Sequence, residues 1–259
     1  MRALVTGASS GMGRDMARLL SAMGYDVILT ARRRERLEKL AGELPGKAEI
    51  LCFDLSKTED CYALYEAAGE IDVLINNAGF GVFGDFLETD LEQELKMLAV
   101  NSRAMHILTK LFVRDFVRRD SGYILNVASA AGFMPGGPLL DGYYASKAYT
   151  LNLTRSVAKG LKKRKSRVVV SALCPGPVKT EFEEVAGVDF TPIGKKSESV
   201  ARYALKKLFR GKTVIVPGLA FKLGRFLTRF LPDCALLSLA YVIQAPRQRS
   251  ASGGKNCDK

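Results

Sequence analysis

Short apolar runs alternate along this chain with longer stretches of helical periodicity, and this alternation restricts the fold more than any other feature. The runs are Ala3 to Thr6, Val27 to Thr30, Ile50 to Phe53, Val73 to Ile75, Tyr123 to Val127, Val168 to Leu173 and Val214 to Val216. Between them lie Met12 to Met23, Arg33 to Gly42, Thr58 to Ala68, Leu91 to Val117, Tyr144 to Leu161 and Glu198 to Phe209, each with the periodicity of an amphipathic helix. Strands separated by helices need crossover connections, which produce a parallel sheet covered on both faces. The expected fold is therefore α/β: a doubly wound, parallel, seven-stranded sheet that receives ligands at the carboxyl ends of its strands. Such sheets reach this length as one unit, so a single domain is expected over residues 1–246.

Composition narrows the class. With 47% apolar residues the chain can build a large core. A strand that begins almost at the N-terminus leaves no room for a signal peptide, so a cytoplasmic protein is expected. Cys52, Cys61, Cys174, Cys234 and Cys257 show no CxxC spacing and read as reduced, buried or incidental thiols. No His/Cys/Asp cluster has ligand spacing, so no metal is expected. His106, the only histidine, falls within the Leu91 to Val117 helix and reads as a surface or interface residue. The formal charge of +12 would suit nucleic acid, an anionic membrane or an acidic ligand. No nucleic-acid recognition motif is present, and the charge is spread over several helices, so no nucleic-acid partner is expected. The run Lys159 to Arg167 reads as the solvated, dipole-complementing end of a helix.

Residues 218–244 differ from the rest. Phe226, Leu227, Phe230 and Leu231 recur at helical intervals, Lys222, Arg225 and Arg229 group elsewhere on the wheel, and Pro232 separates them from the apolar run Cys234 to Ile243. Ten residues cannot span a bilayer. Two short helices are expected over 219–243, closing one side of a substrate pocket, with an apolar face that meets the sheet edge, a second subunit or, as a peripheral contact, a membrane surface. Residues 247–259 read as a flexible basic tail.

Two segments carry chemistry. Thr6-Gly7-Ala8-Ser9-Ser10-Gly11-Met12-Gly13 lies where the first strand turns into the first helix. Glycines there allow a tight turn and let backbone N–H groups approach a pyrophosphate at the positive end of the helix; a purely structural turn is the alternative. Tyr143 and Lys147 are four residues apart, so on a helix they share a face. A nearby ammonium favours phenolate, which is expected to bring the Tyr143 pKa down toward neutrality. Tyr144 competes for the role but lacks this spacing.

The glycine turn, Asn76-Asn77-Ala78-Gly79, Tyr143-Tyr144-Ala145-Ser146-Lys147 and Pro175-Gly176-Pro177-Val178-Lys179-Thr180 occur in the order and near the separations of the short-chain dehydrogenase/reductase family, which residues 1 to about 216 resemble. The resemblance implies a Rossmann-like sheet and a cofactor cleft formed by Gly7, Ser9, Ser10, Gly11, Met12, Gly13, Asp54, Leu55, Asn77, Ala78, Gly79, Tyr143, Lys147, Pro175, Gly176, Val178 and Thr180. Asp54 and Leu55 would flank the adenine, although Asp54 could equally be a helix N-terminal acid. Val178 and Thr180 would hold the nicotinamide carboxamide. Where NAD-preferring members of the family place an acidic residue, this chain has Ala31 followed by Arg32-Arg33-Arg34. A guanidinium suits a 2′-phosphate, so NADP(H) is expected, with Arg32 the first candidate and Arg33 the second.

By the same resemblance Ser129 would bind the substrate oxygen, Lys147 the nicotinamide ribose, and Asn101 would bend the long helix and hold a water leading from Lys147 to solvent. Asn101 could also be an ordinary polar helix position. The implied activity is hydride transfer between the nicotinamide and a small-molecule carbonyl or alcohol, in a homodimer or homotetramer paired through Leu91 to Val117 and Tyr144 to Leu161. The alternative is a non-catalytic dinucleotide-binding regulator or scaffold on the same fold, which would not need Ser129, Tyr143 and Lys147 together. The pocket is expected to be walled by Gly132 to Asp141, residues 181–196 and the C-terminal region.

Overall fold

The computed structural model describes residues 1–181, 194–228 and 230–253, leaving aside the side chains of Arg225 and of residues 246–253. Its centre is a parallel sheet of β1 (Arg2–Thr6), β2 (Asp26–Thr30), β3 (Ala48–Leu51), β4 (Val73–Asn76), β5 (Tyr123–Val127), β6 (Val169–Leu173) and β9 (Val214–Ile215). The strand order is β3-β2-β1-β4-β5-β6-β9. The register runs from Arg2 opposite Asp26 to Thr6 opposite Thr30 on one side of β1, and from Ala3 opposite Val73 on the other. The chain goes outward to β3 and then returns to the far side of β1, so the β1/β4 junction is the point where a crevice opens at the carboxyl ends.

The helices are α1 (Gly11–Ala22), α2 (Arg34–Glu43), α3 (Thr58–Ala68), α4 (Leu91–Leu98), α5 (Met105–Arg118), α6 (Asp141–Lys163) and α7 (Ser197–Leu208), followed by α8 (Leu219–Leu227) and α9 (Asp233–Gly253). Met16, Ala17 and Leu20 of α1 join Val200, Ala204 and Leu208 of α7 against one sheet face. Leu64, Leu108, Phe112, Phe116 and Leu161 cover the other. Both faces of the central strands are thereby dry, which is why β1, β4, β5 and β6 read as continuous apolar runs.

All seven expected strands are present. Two further strands, β7 (Val178–Lys179) and β8 (Lys195–Lys196), pair with each other outside the main sheet and are too short to produce a periodic signal. Helix α6 begins at Asp141, three residues before the expected Tyr144. Asp141 suits the positive end of the helix and offsets the poor helix propensity of Gly142. The expected Leu91 to Val117 helix is continuous but widens into a π-helical turn at Ala99–Ala104. The expected tail is corrected in part: α9 carries helical backbone through Gly253, continuing the apolar run past Pro246, while residues 254–259 lie outside the described residues. Most of the expected 181–196 pocket wall also lies outside them. Among the described residues, no helix is long and apolar enough to cross a membrane.

Candidate active site

The glycine turn is held between β1 and β4 by a small polar lattice. Thr6 Oγ donates to the Ile75 carbonyl (3.3 Å) and accepts from the backbone N–H groups of Asn77 (3.0 Å) and Ala78 (3.1 Å). Asn77 Nδ2 returns bonds to the carbonyls of Thr6 (3.1 Å) and Gly7 (3.3 Å). Asn77 therefore ties the turn to the neighbouring strand. Gly13 is required by closeness: a Cβ there would lie 2.3 Å from the Gly7 carbonyl oxygen and 2.5 Å from Asn77 Nδ2. Ser10 caps α1 with its backbone extended and its side chain makes no capping hydrogen bond, so the first-turn N–H groups have no acceptor from the cap side chain. Met12 packs partly against the core, and Thr180 stands over Gly11.

Arg33, not Arg32, reaches this turn. Its Nη2 donates to Ser9 Oγ (3.0 Å), Ser10 Oγ (3.3 Å) and the Glu181 carboxylate (2.9 Å). Glu181 also pairs with Arg36. Burial raises the Glu181 pKa, but its bonds to Arg33 and Arg36 outweigh that and leave it below the usual carboxylate value. Arg32 instead acts on Asp54. Burial pushes the Asp54 carboxyl up, whereas hydrogen bonds from the Ser56 backbone and hydroxyl, aided by the Arg32 charge, more than reverse this. Asp54 Oδ1 accepts from Ser56 N (3.1 Å) and Oγ (2.8 Å), which is the turn-forming behaviour of an acid ahead of a helix. The Leu55 side chain is committed to the core with Leu4 and Leu74, so only its backbone is available to a ligand. Glu181 and Arg36 are participants that sequence reasoning missed, because nothing in linear spacing brings residue 181 beside residue 33.

The chemical end forms where β5 and α6 meet. Ser129 follows β5 and accepts from the Ala131 N–H (3.2 Å), opening a short 3-10 turn at Ala130–Phe133. The Ala130 N–H donates to the Pro175 carbonyl (2.8 Å), fixing that turn to the end of β6. Ser129 is also hydrogen-bonded to the Tyr143 phenol. One face of α6 carries Ser146, Lys147, Thr150, Leu151 and Thr154 into the interior, and this face takes Lys147 down beside Tyr143. The Lys147 ammonium donates to the Val127 carbonyl (2.9 Å) and lies 5.6 Å from the centroid of the Tyr143 ring.

The expected lowering of the Tyr143 pKa is not found. Burial pushes the phenol up to about 12, against the hydrogen bond with Ser129, and the neighbouring Tyr144 adds to the rise. Burial likewise brings Lys147 down to about 8, partly opposed by Cys174. Desolvation outweighs the attraction that the spacing suggested. Tyr143 is therefore a protonated acid at neutral pH.

Asn101 lies in the π turn and is buried. Its side chain accepts from Phe80 N (3.0 Å), donates to Phe80 O (2.9 Å) and donates to Ser146 Oγ (3.1 Å); Ser146 in turn donates to the Tyr143 carbonyl (2.7 Å). Asn101 thus connects the Gly79-Phe80 segment to the first turns of α6. Gly79 makes the approach possible, since a Cβ there would lie 2.7 Å from Asn101 Oδ1 and 3.3 Å from Lys147 Nζ. Val178 lies in β7, partly packed on the core, and Gly176 sits against the Phe221 ring. On the far wall, Gly137 packs on the Tyr144 ring, Gly136 approaches Leu237, and Gln244 of α9 donates to Tyr144 Oη (3.2 Å). His106 lies away from this site, paired with Tyr149 in a surface groove that also includes Leu95 and Leu98.

Residues 1–188 match the family model for short chain dehydrogenase. The chain belongs to the short-chain dehydrogenase family. It is 34% identical over 187 residues to nodulation protein G of Rhizobium sp. (strain N33), covering 71% of this chain and 75% of that protein. It is 31% identical over 183 residues to the 3-oxoacyl-[acyl-carrier-protein] reductase of Rickettsia prowazekii (strain Madrid E), covering 70% and 74%. Among solved structures it is similar to a short-chain dehydrogenase from Sphingobium yanoikuyae in complex with NADPH, with a TM-score of 0.78, 30% identity and coverage of 84% of this chain and 88% of that one.

Proposed function

We propose that this chain is an NADP(H)-dependent oxidoreductase that transfers a hydride between the nicotinamide and a carbonyl or alcohol substrate. The observation that carries the reading is the Ser129–Tyr143 hydrogen bond with Lys147 behind it, at the strand ends that also hold the glycine turn. The turn fits a dinucleotide: its close approaches at Gly7, Gly11 and Gly13 exclude side chains, and the end of α1 presents backbone N–H groups to an anion. Residues Gly7 to Gly13 and Asn77 to Gly79 would line the pyrophosphate and adenosine side, and Lys147, Val178 and Thr180 the nicotinamide side. Bound there, the nicotinamide supplies or accepts the hydride.

In reduction, Tyr143 Oη donates its proton to the carbonyl oxygen as that oxygen gains negative charge, and Ser129 hydrogen-bonds the same oxygen. In oxidation the alcohol proton returns to Tyr143, and the charge of Lys147 offsets that of the phenolate. With its pKa raised by burial, the phenol carries its proton at neutral pH, which is the form an acid needs at the start of a reduction. The Rickettsia relative, named a 3-oxoacyl-[acyl-carrier-protein] reductase, supports a carbonyl substrate. The Sphingobium relative, with NADPH, supports the cofactor.

Arg33 is the 2′-phosphate ligand in this reading, since its guanidinium already spans the serines of the turn. Oxidation of NADPH and of NADH, followed at 340 nm with a panel of ketones and aldehydes, tests the assignment. NADPH is expected to be the better reductant, and Arg33→Ala to lower its apparent affinity by roughly 10- to 100-fold, the worth of one charge-assisted contact. Faster turnover with NADH, or an Arg33→Ala variant that binds NADPH normally, would overturn the cofactor assignment. Binding of either nucleotide without turnover of any carbonyl would favour a regulatory protein.

A further inference from the structure

Helices α8 and α9 leave an unusual amount of apolar side chain uncovered. On α8, Leu219, Leu223, Phe226 and Leu227 are all exposed, and at roughly 3.6 residues per turn they fall within an arc of about 100°. The opposite side of the helix carries Phe221, which packs with Ala128, Cys174 and Val216. The helix is thus mounted on the domain by one residue type and turns a second, equally apolar face outward. Beyond it, Phe230 is 70% exposed and stacks edge-on against Phe226 at 5.1 Å between centroids.

Helix α9 repeats the arrangement. Leu236, Ala240 and Gln244 recur at intervals of four and are buried, while Leu239, Val242 and Ile243 lie on the outer side and are at least half exposed. A helix that is apolar on every side belongs in an apolar environment, yet this one is covered on one side only.

The charge of the sequence here favours one kind of cover. Between Gly218 and Gly253 the sequence places Lys222, Arg225, Arg229, Arg247 and Arg249 against a single acid, Asp233. Two copies joined through this face by a twofold axis would bring like charges together. An anionic lipid leaflet would instead neutralise them while receiving the apolar arc. Among the described residues no helix is long and apolar enough to cross a membrane, and an apolar helix side in a basic segment suits the plane of the interface.

We propose that α8 and α9 form a peripheral docking surface for anionic lipid membranes, with Leu223, Phe226, Leu227 and Phe230 entering the acyl boundary and the net positive charge of this stretch of sequence drawing it to the headgroups. Because Gln244 and Leu237 of the same element face Tyr144 and the Gly136-Gly137 loop, docking sets the substrate side of the domain beside the leaflet.

The test is sedimentation of the full chain with vesicles of phosphatidylcholine alone and of phosphatidylcholine mixed with phosphatidylglycerol, with size-exclusion chromatography in parallel. The expected result is binding to the anionic vesicles that weakens with salt. A Leu223→Ser/Phe226→Ser double variant, altered at side chains 59% and 56% exposed, should lower the partition coefficient by roughly tenfold or more, with thermal midpoint and oligomeric state unchanged. Lys222→Glu should weaken binding to the anionic vesicles only. Failure of the wild-type chain to bind anionic vesicles would overturn the proposal. So would a double variant that binds as well as wild type, or one that loses a subunit in solution, since the face would then be an interface between copies of the chain.

Discussion

Lys147 holds a charge where burial has brought its pKa down to about 8, and this gives the site a pH dependence that can be measured before any turnover. Below that pH the ammonium is intact and would make charge-assisted bonds to ribose hydroxyls; above it the charge is lost and the neutral amine is a weaker donor. Affinity for NADPH should therefore weaken as pH rises through about 8, with proton uptake on binding just above that value. Fluorescence titration at pH values on either side checks this, and an affinity that is flat or rises with pH would contradict it. The linked effect on stability has a definite sign. The folded pKa lies below the free value of 10.5, so the folded state binds fewer protons than the unfolded one between about 8 and 10.5, and this group's contribution to stability rises with pH across that window. The spacing of Tyr143 and Lys147 made the pair legible in the sequence, but it did not show how deeply α6 lies against β5, and depth decides the pKa. Arg32 and Arg33 illustrate the same limit. A basic cluster after β2 was evident, whereas which guanidinium turns back over the serines depends on backbone torsions in the link to α2.

At the scale of elements, the site is positioned by a buried polar network as much as by packing. Asn126 on β5 accepts from Asn76 Nδ2 (2.9 Å) on β4 and from Thr109 Oγ (3.1 Å) on α5, and donates to Thr154 Oγ (3.0 Å) on α6. One side chain thus connects four elements beneath the Ser129 turn. Asn126→Ala leaves those partners short of a hydrogen bond in a dry interior and should cost about 1–3 kcal/mol, seen as a lower urea midpoint with an unchanged slope. An unaltered midpoint would show that the network is not cooperative. Asn126 was invisible in the sequence because a lone asparagine within an apolar strand has no partner until the helices are packed. The seven strands were visible for the opposite reason, since burial on both faces demands apolar runs that are plain in one dimension. Strands β7 and β8 have two residues each and depend on a pairing far along the chain.

Among the described residues, apolar side chains outside the core gather on two surfaces that bear on the account. One is the groove of Leu95, Leu98 and Tyr149 on α4 and α6, and the other the outer side of α8 and α9. Pro232 marked the break between the C-terminal helices in the sequence, but α8 ends at Leu227, so Phe230 and Leu231, expected to continue its helical intervals, lie beyond it. Which side of each helix the domain would cover could not be read, because both sides are apolar and only the docking of Phe221 and Leu236 distinguishes them. The rest of the architecture converges on one phenol. The glycine turn, the π turn at Asn101 and the Ser129 cap all bear on the position of Tyr143 or of what would lie beside it. The most direct test is the steady-state rate of NADPH-dependent carbonyl reduction by Tyr143→Phe, with Tyr144→Phe as the control. The account predicts a fall of roughly 100-fold or more for Tyr143→Phe with NADPH binding retained, as expected for loss of a positioned acid. Near wild-type turnover in that variant would contradict it.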